Sequence, residues 1–142
     1  MHTLRQLLGS KTPEVHAVAP GDSVFDAIRL MAEKGIGAVL VMDGATLAGI
    51  VSERDYARKV VLHGRSSADT SVRDIMTADV VTVGPNHTVE HCMQVVTEHR
   101  IRHLPVVEDG EVIGVISIGD LVKAVIEDQK IQLDQLQRYI AS

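Results

Sequence analysis

Apolar residues along this chain alternate between two spacings. Val24, Ala27, Ile28 and Met31 recur at three- and four-residue steps, which predicts a helix opened by Ser23 and ending near Gly35. Residues 38–42 and 47–51 are instead continuous apolar runs on either side of Asp43-Gly44, which predicts a hairpin or two neighbouring strands. Residues 15–18 are β-branched in part and predict a strand stopped by Pro20-Gly21-Asp22. A helix opened by Ser52 is expected to continue through Tyr56, Val60 and Val61 to Gly64. The polar stretch 65–70 reads as a linker, after which the order returns: strand 80–83, helix 88–99, strand 103–107, strand 112–116 and a helix from Ser117. Short helical segments are expected ahead of each copy, at 3–8 and 71–76, the first followed by a loop over 9–14.

The second half repeats the first in detail. Gly49-Ile50-Val51-Ser52-Glu53-Arg54-Asp55 matches Gly114-Val115-Ile116-Ser117-Ile118-Gly119-Asp120 at an offset of 117 − 52 = 65. The same offset sets Thr12 on Thr77, Val15 on Val80, Val18 on Val83, Pro20 on Pro85, Ile36 on Ile101 and Val41 on Val106. A duplicated unit of this size commonly stacks against its copy to close a core. In each motif a strand runs into a helix, with serine at the N-cap and aspartate three residues on. A helix start offers N–H groups and the positive end of a dipole, which suit an anionic group such as phosphate. Ser-x-x-Asp before an apolar helix is equally an ordinary capping box; its occurrence twice in register is what favours a ligand.

Composition narrows the functions. The 142 residues are 45% apolar, enough for one compact core or two half-units sharing one, but not for a separate catalytic domain as well. A net charge of −5 argues against a nucleic-acid or anionic-membrane partner. Only Phe25, Tyr56 and Tyr139 are aromatic, so base stacking on aromatic platforms is not expected. Any base bound here would lie between aliphatic side chains and bond to backbone. No apolar run approaches a membrane span, the polar start does not read as a signal peptide, and the single Cys92 cannot form an internal disulfide; a cytoplasmic location is expected.

The paired motifs, with Arg102-His103-Leu104-Pro105-Val106-Val107 ahead of the second, resemble a tandem pair of CBS domains over roughly residues 11–126. The short bacterial stand-alone pairs offer the nearest resemblance. It implies an α/β (α+β) fold: two repeats at 9–64 and 71–128, each a small mixed sheet with helices, related by a pseudo-twofold axis with two nucleotide clefts. Residues 129–142 would be a helical extension. By position, the resemblance implies that Ser52 and Ser117 hydrogen-bond a phosphate and that Asp55 and Asp120 accept the ribose hydroxyls. Lys11, Thr12, Val15 and His16, Thr77, Val80 and Val81, Gly37 and Ala38, and His103, Leu104 and Pro105 would surround the base, mainly through backbone.

The copies differ between serine and aspartate: Glu53 and Arg54 in the first, Ile118 and Gly119 in the second. A phosphate in the second cleft would find its cation in Arg100, Arg102 or His103. Unequal sites imply unequal ligands, AMP or another adenine nucleotide in one, with NAD(H), ATP or ADP in the other. The expected function is a non-enzymatic adenine-nucleotide sensor of energy or redox state that signals by conformational change, most simply as a homodimer acting on an effector protein. The alternative is a partner-binding subunit with vestigial clefts. The seven histidines, His87 and His91 four apart among them, follow no fixed ligand spacing, and no metal is expected. No nucleophile–base set or phosphate-binding glycine loop occurs, so no catalytic residue is assigned. The last helix carries Leu121, Val122, Val125, Ile126, Leu133, Leu136 and Ile140 on one apolar side, a dimer contact or a flap over the sheet.

Overall fold

The computed structural model describes residues 2–9 and 15–141. The elements, in order, are α1 (Leu4–Gly9), β1 (Ala17–Val18), α2 (Val24–Lys34), β2 (Ala38–Asp43), β3 (Thr46–Ser52), α3 (Glu53–Tyr56), α4 (Val89–His99), β4 (His103–Glu108), β5 (Glu111–Ser117) and α5 (Ile118–Ala141). They form two compact units, one of residues 14–81 and one that joins residues 1–13 to 82–142.

In the 14–81 unit, β2 pairs antiparallel with β3 and parallel with β1, giving the sheet order β1-β2-β3. α2 forms where the helical spacing predicted it. Ser23 accepts from the Asp26 N–H at 3.1 Å, and Gly35 ends the helix in the left-handed region at φ 64°, where glycine carries no Cβ penalty. Val24, Ala27 and Met31 of α2 pack with Val39, Val41, Val51, Val60, Val72 and Ile75 as the core. The expected helix from Ser52 to Gly64 is modified: α3 opens after Tyr56 into a π-turn over Ala57–Val61. The wider turn sends Val60 into the core and leaves Val61 and Leu62 exposed, so only one of the two expected valines is apolar cover.

In the other unit β4 and β5 form the matching hairpin, with α5 against β5 and α4 against α5. The strand expected at 80–83 is reduced to a single parallel bridge, Val83 to Val106. The reason lies in the partner strand. In the first copy Leu40 donates its N–H to the His16 carbonyl at 3.1 Å and so extends the β1–β2 pairing. At the offset of 65, Pro105 stands in place of Leu40 and has no N–H to give.

Each repeat is completed by the segment that precedes the other repeat in sequence. Leu4 of α1 is fully buried among residues 82–141, its N–H bonded to His87 O at 3.0 Å and that of Arg5 to Pro85 O at 2.8 Å; Arg5 also pairs with Glu108. In the 14–81 unit Val72 has the same role, fully buried with its N–H on Asp22 O at 2.8 Å. The bridges Thr3–Thr88 and Ser23–Ser71 mark the two equivalent joints.

Candidate functional site

The duplicated strand-to-helix junction is built alike in both units. Ser52, the last residue of β3, is extended at φ −117° and ψ 165°, which aims its side chain along the first turn of α3. Its Oγ accepts from the Asp55 N–H at 3.2 Å, its own N–H donates to Asp55 Oδ2 at 3.0 Å, and its hydroxyl lies 3.1 Å from that oxygen. In the second copy Ser117 Oγ accepts from the Asp120 N–H at 3.1 Å, and the Ser117 N–H donates to Asp120 Oδ2 at 3.0 Å. Both are reciprocal capping boxes, satisfying two donors that a helix start otherwise leaves open.

Strand register brings the sequence-predicted neighbours to these boxes. Ala38 pairs with Ser52 and His103 with Ser117. The carbonyl just before each entering strand accepts the first helical N–H: Glu53 to Gly37 O at 3.1 Å, Ile118 to Arg102 O at 2.8 Å. Thus the donors a helix start was expected to offer an anion are in part already used by the fold. The second helical N–H, of Arg54 or Gly119, takes no such backbone partner among the described residues.

The other predicted residues differ in exposure and placement. Glu53, Arg54, Ile118, Gly119 and Arg102 are exposed around the boxes, with His16 and His103 half-buried. Thr77 exchanges two backbone bonds with Ile50, its O accepting at 3.0 Å and its N–H donating at 2.9 Å, beside Gly49. Val15 is exposed, Val80 and Val81 are half-buried, and Leu104 and Pro105 are buried within β4 and offer only backbone. Lys11 and Thr12 lie outside the described residues.

One charged side chain at the first box was not among the expected site residues. Lys59 Nζ lies 3.2 Å from Asp55 Oδ1 and donates to Ile75 O at 2.8 Å, so both oxygens of the Asp55 carboxylate, only 16% exposed, are engaged. The i,i+4 spacing of Asp55 and Lys59 was the available signal. Ala124 occupies the equivalent place in the second copy, so the two boxes differ in charge beyond Glu53 and Arg54. Cys92 is fully buried and its thiol is pushed up to about 11 by burial, which leaves it inert as a nucleophile. His87 and His91 stack with ring centroids 4.5 Å apart, and among the described residues no group of three or more metal-ligating side chains gathers.

A family model for the CBS domain matches this chain twice, at residues 6–62 and 72–127. The chain belongs to the CBS-domain family. A protein with CBS domains from Burkholderia ambifaria MC40-6 is 57% identical in sequence, with a TM-score of 0.87 over 90% of this chain and 96% of that one. The CBS domain-containing protein CBSX3, mitochondrial, of Arabidopsis thaliana is 44% identical over 124 residues, 84% of this chain. The chain spans 60% of that relative's length. The CBS domain pair of protein MJ0100, solved in complex with 5'-methylthioadenosine and S-adenosyl-L-methionine, shares the fold at a TM-score of 0.79 and 22% identity, over 90% of this chain and 98% of that one. The fold is therefore a tandem CBS pair of mixed helices and small sheets. No helix among the described residues is long and apolar enough to cross a membrane.

Proposed function

We propose that this CBS pair is a non-enzymatic regulatory module that binds an adenine nucleotide of the AMP, ATP or NAD type and passes the signal on by conformational change. The observation that carries the reading is the presence of one geometry in both copies: a half-buried carboxylate at a strand-to-helix junction, beside the entering strand and an exposed helix start. A carboxylate has lone pairs for both hydroxyls of a ribose cis-diol, and the remaining helical N–H groups suit a phosphate. The adenosine-bearing ligands of the MJ0100 pair supply a precedent for the ligand class within this fold. Different charge at the two boxes favours different ligands, AMP or a related nucleotide in one and NAD(H) or another adenine ligand in the other. A ligand alters the protein only through its differential affinity for two arrangements, which a partner protein would then read.

The second reading, a partner-binding subunit with vestigial sites, is favoured by the completeness of the boxes. Ser52, Asp55 and Lys59 satisfy one another without a ligand.

Calorimetric titration with AMP, ATP and NAD separates the two, using Asp55→Asn and Asp120→Asn. Asparagine keeps an acceptor for the serine N–H, so the cap survives while the diol site loses charge and one acceptor. Saturable binding by the parent, weakened at least tenfold in one variant of unchanged melting temperature, supports the sensor. No heat with any of the three nucleotides leaves the partner-binding reading.

A further inference from the structure

Helix α5 runs for 24 residues, yet only Leu121 and Ala124 along it are buried, and residues 129–141 are exposed throughout. A helical stretch of under about 15 residues has little stability in water without tertiary cover. Val122, Ile126, Gln129, Leu133, Leu136 and Ile140 follow at alternating four- and three-residue steps, the a/d spacing of a heptad. At roughly 100° per residue, this seam lies roughly 130° around the helix from Leu121 and Ala124. Its apolar members are all exposed, from 42% at Val122 to 75% at Ile140. One face of α5 thus serves its own unit while a second apolar stripe has no cover among the described residues.

We propose that α5 pairs in parallel and in register with α5 of a second copy of this chain, as a two-stranded coiled coil along that seam. Charge selects both the occupant and the orientation. Over Ile118–Ala141, Lys123, Lys130 and Arg138 are opposed by Asp120, Glu127, Asp128 and Asp134, a net 3 − 4 = −1, which does not suit an anionic lipid surface. The lysines at 123 and 130 both lie on one flank of the seam, with Val125 and Gln132 on the other. A parallel pair sets one flank against the other, so each Lys130 meets Val125 of the second copy and lays its aliphatic stem over the seam. An antiparallel pair sets like flanks together and brings Lys130 against Lys130. Gln129, the one polar seam position, meets its own counterpart only in the parallel register, where paired amides fix alignment. The exposed Asp134–Arg138 pair at 3.2 Å and the Asp128–His2 pair at 2.7 Å, its carboxylate only 16% exposed, both lie outside the seam.

Sedimentation of the full chain tests this. The parent is expected at no less than twice the 15.4 kDa chain mass, Leu133→Glu should halve that mass, and Ile131→Glu, equally exposed but off the seam, should leave it unchanged. If Leu133→Glu lowers helicity by circular dichroism, Gln129→Leu reads the seam with opposite sign, tightening association about tenfold. Ile140→Cys in a Cys92→Ala background should form a disulfide-linked dimer on oxidation. In an antiparallel pair residue 140 would face residue 122, leaving the two cysteines about 27 Å apart. A single-chain mass for the parent, equal effects of the 131 and 133 substitutions, or no covalent dimer would overturn the proposal.

Discussion

Gly49 and Gly114 hold the same place in the two repeats, and replacing each by alanine should have unequal effects. At Gly49 an added Cβ would lie 2.6 Å from Met76 Sδ, 2.9 Å from Met76 Cγ and 2.9 Å from the carbonyl oxygen of Thr77. That carbonyl cannot retreat cheaply, because Thr77 and Ile50 exchange backbone hydrogen bonds of 2.9 and 3.0 Å. At Gly114 the nearest atoms to the Cβ all belong to Leu8, with Cδ2 at 2.8 Å and Cδ1 at 3.3 Å, the far end of a side chain that can rotate away. Overpacking costs about 1–3 kcal/mol, and a disturbed hydrogen bond adds about 1 kcal/mol. Against this, alanine at a site of compatible backbone returns about 0.4–1 kcal/mol through the unfolded chain. Gly49→Ala should therefore destabilise by about 2 kcal/mol, whereas Gly114→Ala should stay within about 1 kcal/mol of the parent. Urea unfolding followed by circular dichroism gives both values at unchanged m. Equal losses, or a larger loss at Gly114, would refute the distinction between a fixed carbonyl and a movable side chain.

Two further outcomes are expected. Because burial raises the Cys92 thiol from 9.0 to about 11, the folded protein keeps a proton that the unfolded chain loses. Stability should therefore fall as pH rises from 9 to 11, by about 2–3 kcal/mol, and the parent should lose that much more than Cys92→Ala in pH-dependent unfolding. Leu4→Ala, at a side chain with no exposed surface, should cost about 3 kcal/mol despite its place near the chain start; a loss below about 0.5 kcal/mol would mean that α1 adds nothing to the second unit.

What the sequence disclosed was local. Ser23, Ser52, Thr88 and Ser117 announce their helices because a cap depends only on the next three residues, and the helical spacing of α2 marks the side that is buried. The repeat offset then located both junctions at once. What depended on distant partners was hidden. The strand expected at 80–83 fails because of Pro105, more than twenty residues on, and the π-turn after Tyr56 shows no helix-breaking residue in the run Ala57–Val61. The ligand roles given to Ser52 and Asp55 came with a second meaning, since both side chains also hold their own helix closed. Lys59 lies one turn beyond the motif, and only its i,i+4 spacing from Asp55 marks it in the sequence. The segments that complete each unit follow a different offset from the motifs: Leu4 to Val72 and Leu8 to Met76 differ by 68, not 65, so the alignment that revealed the repeat concealed their equivalence.

The division of the chain also sets an order of events during synthesis. Residues 14–81 form a contiguous unit, complete as soon as they leave the ribosome, whereas the other unit needs residues near the very start together with residues after 82. Until α4 and the β4–β5 hairpin emerge, Leu4 has no pocket, and α1 must wait as an undocked arm while a finished unit sits between it and its partners. Closing a loop of this span draws roughly 4 kcal/mol of chain entropy from a fully unfolded chain. Folding the intervening residues first replaces a flexible span by a compact unit and so shortens the effective loop that α1 must close.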